Sequence, residues 1–379
     1  MSGVAEIDSL CPEAALGRLD VAMAAARLSV TDVFMPRDED NTTGRWDRLC
    51  ADETRIYYFS DGSQMDARVF GADFSDAELV VMKHHGTPGS GSDVSLDIGK
   101  LWDEGIRVVA PNRSGCGRTT SMPGRTVADI VPKFAAIMRY ETRAGAAGAA
   151  VGQSGGTPYT AECLIQYPDL FQKGGILAGL VPRHVLGTDF TAGMSPDNVR
   201  QHGHDMPSEQ LWAESELLSE QLQQNKLALG EQLLSQQNPD GSRVMVPADV
   251  SYVRSNMDEL STLWAVGMRQ RGKGKAEDME ALKQWERDVH TINQPTLVWH
   301  GDLDPYSPIA HGRWLAREIS GAVDETNGYK FQGHFGASQI MMSVLLWAKT
   351  GVFVRPPGMY ELPGQRAWLN YVISSTYQM

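Results

Sequence analysis

Only four cysteines occur among the 379 residues, Cys11, Cys50, Cys116 and Cys163, and no two form a C-x-x-C pair. That spacing gives neither a disulfide framework nor a thiolate zinc site, so all four are expected to be reduced thiols. Uncharged apolar runs long enough to cross a bilayer are missing as well, which leaves no membrane partner to expect. The opening MSGVAEIDSL has no basic stretch followed by an apolar one, and a cytoplasmic location is the expectation. Basic residues are outnumbered, 34 Lys and Arg against 47 Asp and Glu, for a formal net charge of -13. A nucleic-acid partner is thereby disfavoured, since such binding rests on Lys and Arg displacing counterions from phosphates. Nor is there an internal repeat or a low-complexity tract, which removes solenoid and linker-like architectures.

What is present is enough apolar material, 42% of the chain, to bury one full-sized core with a sizeable insertion. Residues 12 to 29 are rich in Ala and Leu and predict a helix, followed by a polar loop over 37 to 45. TRIYYF and QMDARVFG flank the turn residues Asp61 to Ser63 and predict a hairpin. From Leu79 onward, short apolar runs (LVVMKH, RVVAP, AAVG, GGILAGL, PTLVWH) alternate with helical stretches near 93 to 103, 126 to 143, 155 to 167 and 308 to 319. Runs of that kind belong to strands buried on both faces, so the expected fold class is α/β, a mostly parallel central sheet flanked by helices. The alternation breaks from about 182 to 292, where Leu211, Leu218, Leu222, Leu229 and Leu233 fall at helical spacing and predict a helical insertion. That leucine stripe is either core packing or a dimer contact, and a homodimer is accordingly one expected assembly.

The sharpest local pattern is Gly152-Gln153-Ser154-Gly155-Gly156, a G-x-S-x-G between an apolar run and a helix. A serine on so tight a strand-to-helix turn is lifted clear of the sheet, and the helix start beyond it offers free N–H groups to a developing oxyanion. Ser154 is therefore the candidate nucleophile, and the N–H of Gly155 one candidate oxyanion donor. LVVMKH runs into His85-Gly86-Thr87-Pro88-Gly89, whose glycines let backbone approach a substrate. The Thr87 N–H is the candidate second donor, while His85 and Gly86 border the substrate, the His85 ring ordering the loop rather than acting as base. Gly86 and Gly91 have the spacing of a phosphate loop, but Ser92 stands where such a loop needs Lys. A serine hydroxyl needs a base, and His334 in Gln332-Gly333-His334-Phe335-Gly336 lies in a short glycine-flanked loop late in the chain. Asp304, in the loop after PTLVWH, is the candidate acid that orients the imidazole, with Asp302 the alternative. Cys116 is expected to be a bystander, because no strand-turn-helix elbow surrounds it. His202-Gly203-His204-Asp205 lacks the fuller pattern of binuclear sites, so no metal is expected.

With HGTPGS, PNRSGCGRT, GQSGG, HGDLD and QGHFG standing in that order, the chain resembles the α/β-hydrolase superfamily from about residue 55 to 350. The resemblance implies a core over 51–182 and 293–350, a helical cap over 183–292 that roofs the pocket, an N-terminal helical extension over 1–50 and a C-terminal extension over 351–379. It implies a structural role for Arg113 and makes Trp212, Trp264, Met268 and Trp285 candidates for the cap's inner lining, with simple core packing as the alternative. The activity it implies is cofactor-free hydrolysis of an ester-like bond in a hydrophobic small-molecule acyl substrate. Acyl transfer or cyclisation by the same triad is the alternative reading. An iminopeptidase is disfavoured by Gly155, where that family's elbow has Trp, and halide release or epoxide opening by Ser154, where those enzymes have Asp. A non-catalytic receptor built on the same shell is a further alternative.

Overall fold

The computed structural model describes residues 30–35, 53–92, 96–203, 206–327 and 329–356. The expected helix over 12–29, the loop over 37–45, Cys11, Cys50, His204, Asp205 and residues 357–379 lie outside them. Along the chain come β1 (Val30–Met35), β2 (Glu53–Phe59), β3 (Gln64–Gly71), β4 (Leu79–His84), α1 (Ile98–Asp103), β5 (Ile106–Pro111), α2 (Val131–Thr142), β6 (Ala147–Gln153), α3 (Thr157–Gln166) and β7 (Lys173–Leu177). After an insertion the core resumes with β8 (Thr296–Trp299), α11 (Ile309–Glu318), β9 (Ala322–Glu325) and α12 (Gly336–Thr350). The strands form one sheet in the order β1-β2-β3-β5-β4-β6-β7-β8-β9. The first three are antiparallel, and β4 to β9 run parallel.

Alternation of side chains along each strand divides the core between the two faces of the sheet. Val80 and Met82 of β4 join Val109, Ala150, Ile176 and Val298 beneath Phe134 of α2 and Tyr159 of α3. Leu79 and Val81 join Val108, Val151, Leu177 and Trp299 beneath Leu101 of α1 and Met341 of α12. All six residues of β4 are buried, as expected of a strand with helices on both sides. Among the described residues no helix is long and apolar enough to cross a membrane.

The first fifty residues differ from the expected helical appendage, because β1 lies in them and pairs with β2 from Val30↔Phe59 to Met35↔Thr54. Between β7 and β8 stand α4 (Arg183–Leu186), α5 (Pro196–His202), α6 (Ser208–Gln224), α7 (Ala228–Ser235), α8 (Pro247–Ser255), α9 (Met257–Gly267) and α10 (Lys273–Lys283). The five leucines do not share one helix: α6 carries Leu211, Leu218 and Leu222, then stops at Asn225, and α7 carries Leu229 and Leu233. The Asn225 side chain accepts the N–H of Leu227, a local bond that replaces helix continuation. Leu222, Leu229, Leu260 and Trp264 form a third apolar cluster, joined by Phe335 from the loop beside His334.

Candidate active site

The register of the parallel strands brings the chemistry-bearing loops together. β4 lies between β5 and β6, so chain order reverses at that point, and ligands of open α/β sheets bind at such a switch beyond the strand ends. His84, the last residue of β4, pairs with Gly152, so the Gly86–Thr87 loop and Ser154 leave the sheet side by side. Leu177 of β7 pairs with Gln153 and with Trp299, and Trp299 pairs with Glu325 of β9, so the loops carrying Asp304 and His334 leave the same edge.

Ser154 has φ of 54°, in the left-handed region that non-glycine residues enter only when surrounding structure holds them there. Two glycines make that turn feasible. A Cβ at Gly152 would sit 2.3 Å from Thr160 Oγ1, and one at Gly156 would sit 2.4 Å from the carbonyl oxygen of His84. The N–H of Gly155 opens a helical segment, where backbone donors have no partner inside the helix. Gly155 packs directly on the other loop, since a Cβ there would lie 2.5 Å from Thr87 Oγ1 and 3.3 Å from Thr87 N.

His334 Nδ1 donates to Asp304 Oδ2 at 2.7 Å. The other carboxylate oxygen accepts the backbone N–H groups of Tyr306 at 2.8 Å and Ser307 at 3.0 Å, which fixes the Asp304 plane. Burial pushes the Asp304 carboxyl up, but the nearby His334 and the hydrogen bonds from His300 and His334 outweigh it and hold the carboxyl well below its usual range. For His334 the balance has the opposite consequence: burial lowers its pKa, the Asp304 carboxylate and hydrogen bond raise it, and the net shift is upward. Ser154 and His334 line one cavity without a direct hydrogen bond between them, and bonds of this type commonly tighten only around a reacting group. Asp302 turns away toward the backbone of Phe331 and Gln332, leaving the contact with His334 to Asp304.

Beneath the Gly86–Thr87 loop lies a charge network without a local sequence signature. Arg113 is fully buried and donates to the carbonyl oxygens of His85 (2.5 Å) and Gly86 (3.0 Å) and to Thr87 Oγ1 (2.9 Å). Asp278, on α10 of the insertion, accepts from Arg113 Nη2 (2.6 Å), Arg125 Nη2 (2.6 Å), Tyr159 Oη (2.9 Å) and Thr87 Oγ1 (2.9 Å). The insertion thus anchors the loop through one carboxylate. Asp278→Ala strands two buried guanidinium groups, and loss of one partner from such a network costs about 3–5 kcal/mol; the urea midpoint of unfolding is expected to fall accordingly, with an unchanged midpoint as the contrary result. His85 is held in this network and does not reach the cavity: Nδ1 meets the carbonyl of Gly86 at 2.7 Å and Nε2 faces the Arg113 N–H at 3.3 Å. Cys116 is buried, and burial pushes its thiol up, away from the reactive thiolate form.

The cavity has a volume of about 480 Å³ and is lined by Gly86, Thr87, Ser154, Gly155 and His334 at the sheet edge and by insertion residues opposite. Of the four proposed lining residues only Trp264 reaches it. Trp212 is tied to Glu280 (2.8 Å) and Trp285 to Glu162 (3.1 Å) through their indole N–H groups, and Met268 is buried in the insertion's own core. Leucines line the wall instead, among them Leu218, Leu229, Leu233, Leu260 and Leu263.

Asp249 on α8 has no counterpart in the sequence-based expectations. Its fully buried carboxylate accepts the backbone N–H of His334 at 2.8 Å and of Phe335 at 3.0 Å, holding the histidine loop from the insertion side. Burial and the nearby Asp304 carboxylate push its pKa up to about 7. A carboxyl raised on folding binds more protons in the native than in the unfolded state, so its contribution to stability is greatest below about pH 4 and is lost as pH rises toward 7. Asp249→Asn removes that slope: the variant's unfolding free energy relative to the parent is expected to climb by up to about 1.4 kcal/mol per pH unit between roughly pH 4 and 7. Denaturant titrations across that range check it, and a flat difference would contradict it.

No family model matches the chain. A bifunctional esterase/perhydrolase from Acinetobacter calcoaceticus is 25% identical over 232 residues, 60% of this chain and 75% of the relative. Among solved structures, a thermophilic esterase from Thermogutta terrifontis superposes with a TM-score of 0.53 at 16% identity, covering 83% of this chain and 96% of that one. An α/β-hydrolase-fold protein from Nakamurella multipartita gives a TM-score of 0.51 at 19% identity over 78% of this chain and 99% of its own. With this sheet order, a positive-φ serine after β6 and paired Asp and His after β8 and β9, the chain is an α/β-hydrolase-fold protein.

Proposed function

We propose that the chain is a serine hydrolase that cleaves an ester-like bond, whether ester, lactone or thioester, in a small molecule. The Ser154 oxygen attacks the carbonyl carbon while His334 Nε2 takes the hydroxyl proton, and Asp304 stays ionised and holds the imidazole by Nδ1. The N–H groups of Thr87 and Gly155 stabilise the tetrahedral oxyanion. As the carbonyl reforms, the bond to the leaving oxygen or sulfur breaks and His334 returns the proton to it. Water, deprotonated by His334, then cleaves the acyl-Ser154 ester and regenerates the hydroxyl. The leucine-rich wall favours a substrate with apolar bulk.

One observation carries this reading: a serine at positive φ shares a cavity with a histidine bonded to a buried aspartate. The names of the Acinetobacter and Thermogutta relatives, both esterases, support the class of bond. A fluorophosphonate should label the protein once, and peptide mapping should find the adduct on the peptide containing Ser154. An adduct on another residue, or none under conditions that label a control esterase, overturns the proposal.

A further inference from the structure

The cavity lining holds a buried cation as well as leucines. Lys275 lines the cavity from α10, on the same helical stripe as the lining residues Met279 and Leu282 at i+4 and i+7. Lys275 is 6% exposed, yet its ammonium makes one long hydrogen bond, 3.5 Å to Ser215 Oγ, and among the described residues no carboxylate lies within 4.0 Å of it. The neighbouring acids are otherwise engaged: Glu214 pairs with Arg200 at 2.5 Å, and Asp197 accepts from Gln236 at 2.6 Å. Of the charged side chains whose fields act on Lys275, Arg200 and Lys283 are cations and Glu214 and Asp197 anions, two of each sign, so the charge of Lys275 itself is left uncompensated. An ammonium has three protons to donate, and a buried one without an anion is costly to maintain. Burial pushes it down to about 8, only partly countered by Glu214, so it is still a cation at neutral pH.

We propose that Lys275 is the anion-recognition residue of this cavity and that the preferred substrates are esters whose acyl chain ends in a carboxylate. The inference rests on the reading of the cavity as an acyl site served by Ser154. The apolar wall takes the methylene chain, and Lys275 takes the terminal charge by a charge-assisted hydrogen bond.

The test compares p-nitrophenyl monoesters of glutarate, adipate and pimelate with p-nitrophenyl esters of neutral acids of equal chain length. For the best-fitting length, the ratio of kcat/KM for the charged over the neutral ester is expected to exceed one in the parent. It is expected to fall by roughly 10- to 100-fold in Lys275→Met, the effect of losing a hydrogen bond to a charged group. Lys275→Arg should restore most of the preference. A ratio equal in parent and Lys275→Met, with both folded by circular dichroism, overturns the proposal. Calorimetric titration of the parent with free adipate and with neutral adipamide needs neither variant nor turnover. Binding of adipate in preference to adipamide supports the assignment, and equal or absent binding of the two refutes it. Because the titration is independent of Ser154, a failure of the serine mechanism and a failure of the Lys275 site give different results.

Discussion

Ser154→Ala is expected to lower kcat on a p-nitrophenyl ester by about 10⁴- to 10⁶-fold with no comparable loss of stability. The substitution deletes a single oxygen, one that among the described residues supports no packing or side-chain hydrogen bond of the fold. The elbow itself is maintained by Gly152, Gly156 and the pairing of β6 with β4 and β7, none of which involves the hydroxyl. Alanine tolerates the positive φ about as well as serine does, so circular dichroism and the thermal midpoint should change little. His334→Ala should be nearly as damaging, and combining the two should add little, because in the proposed mechanism the two side chains act as one unit. A double variant much slower than either single one would mean that they act independently.

Asp304→Asn is expected to cost about 10⁴-fold in kcat, although the two side chains have the same shape. The amide oxygen can still accept from the N–H groups of Tyr306 and Ser307, which occupy Oδ1 in the parent. The amide NH₂ then faces His334 Nδ1, which must turn from donor to acceptor and carry its proton on Nε2 instead. An imidazole protonated at Nε2 cannot take a proton from Ser154. KM should move little, since Asp304 is buried and does not line the cavity. Retention of near-parental kcat in a folded Asp304→Asn would show that Asp304 does not set the tautomer.

The central strands were legible because burial on both faces writes them as apolar runs: LVVMKH coincides with β4, and RVVAP covers β5 except for its first residue, Ile106. The edges were not. AVDE in β9 is only partly buried and carries no apolar run, and VTDVFM of β1 sits between stretches of different character. The turn at Ser154 is a local device, with steric requirements at Gly152 and Gly156 that a five-residue pattern expresses fully. Asp304 and His334 could be located from their loops because parallel topology sends those loops to one edge. Asp249, Asp278 and Lys275 are different in kind. Each is one charged residue on an insertion helix, given its role by partners 85 to 191 positions away or by a cavity, and helical periodicity carries no trace of that. The aromatic lining failed for a related reason. Trp285 gives its indole N–H to the buried Glu162 and packs into the interior, while half-buried Trp212 gives its own to Glu280 away from the cavity, so that leucines and Trp264 form the wall.

The contact on which the account depends is the one between the Ser154 oxygen and His334 Nε2. A crystal structure of the fluorophosphonate adduct measures it directly. The expected result is phosphorus bonded to Ser154 Oγ, His334 Nε2 about 2.6–3.2 Å from that oxygen or the leaving-group position, and a phosphonyl oxygen between the N–H groups of Thr87 and Gly155. An adduct on Ser154 with the His334 imidazole remote from it, or with the phosphonyl oxygen turned away from both N–H groups, would contradict it.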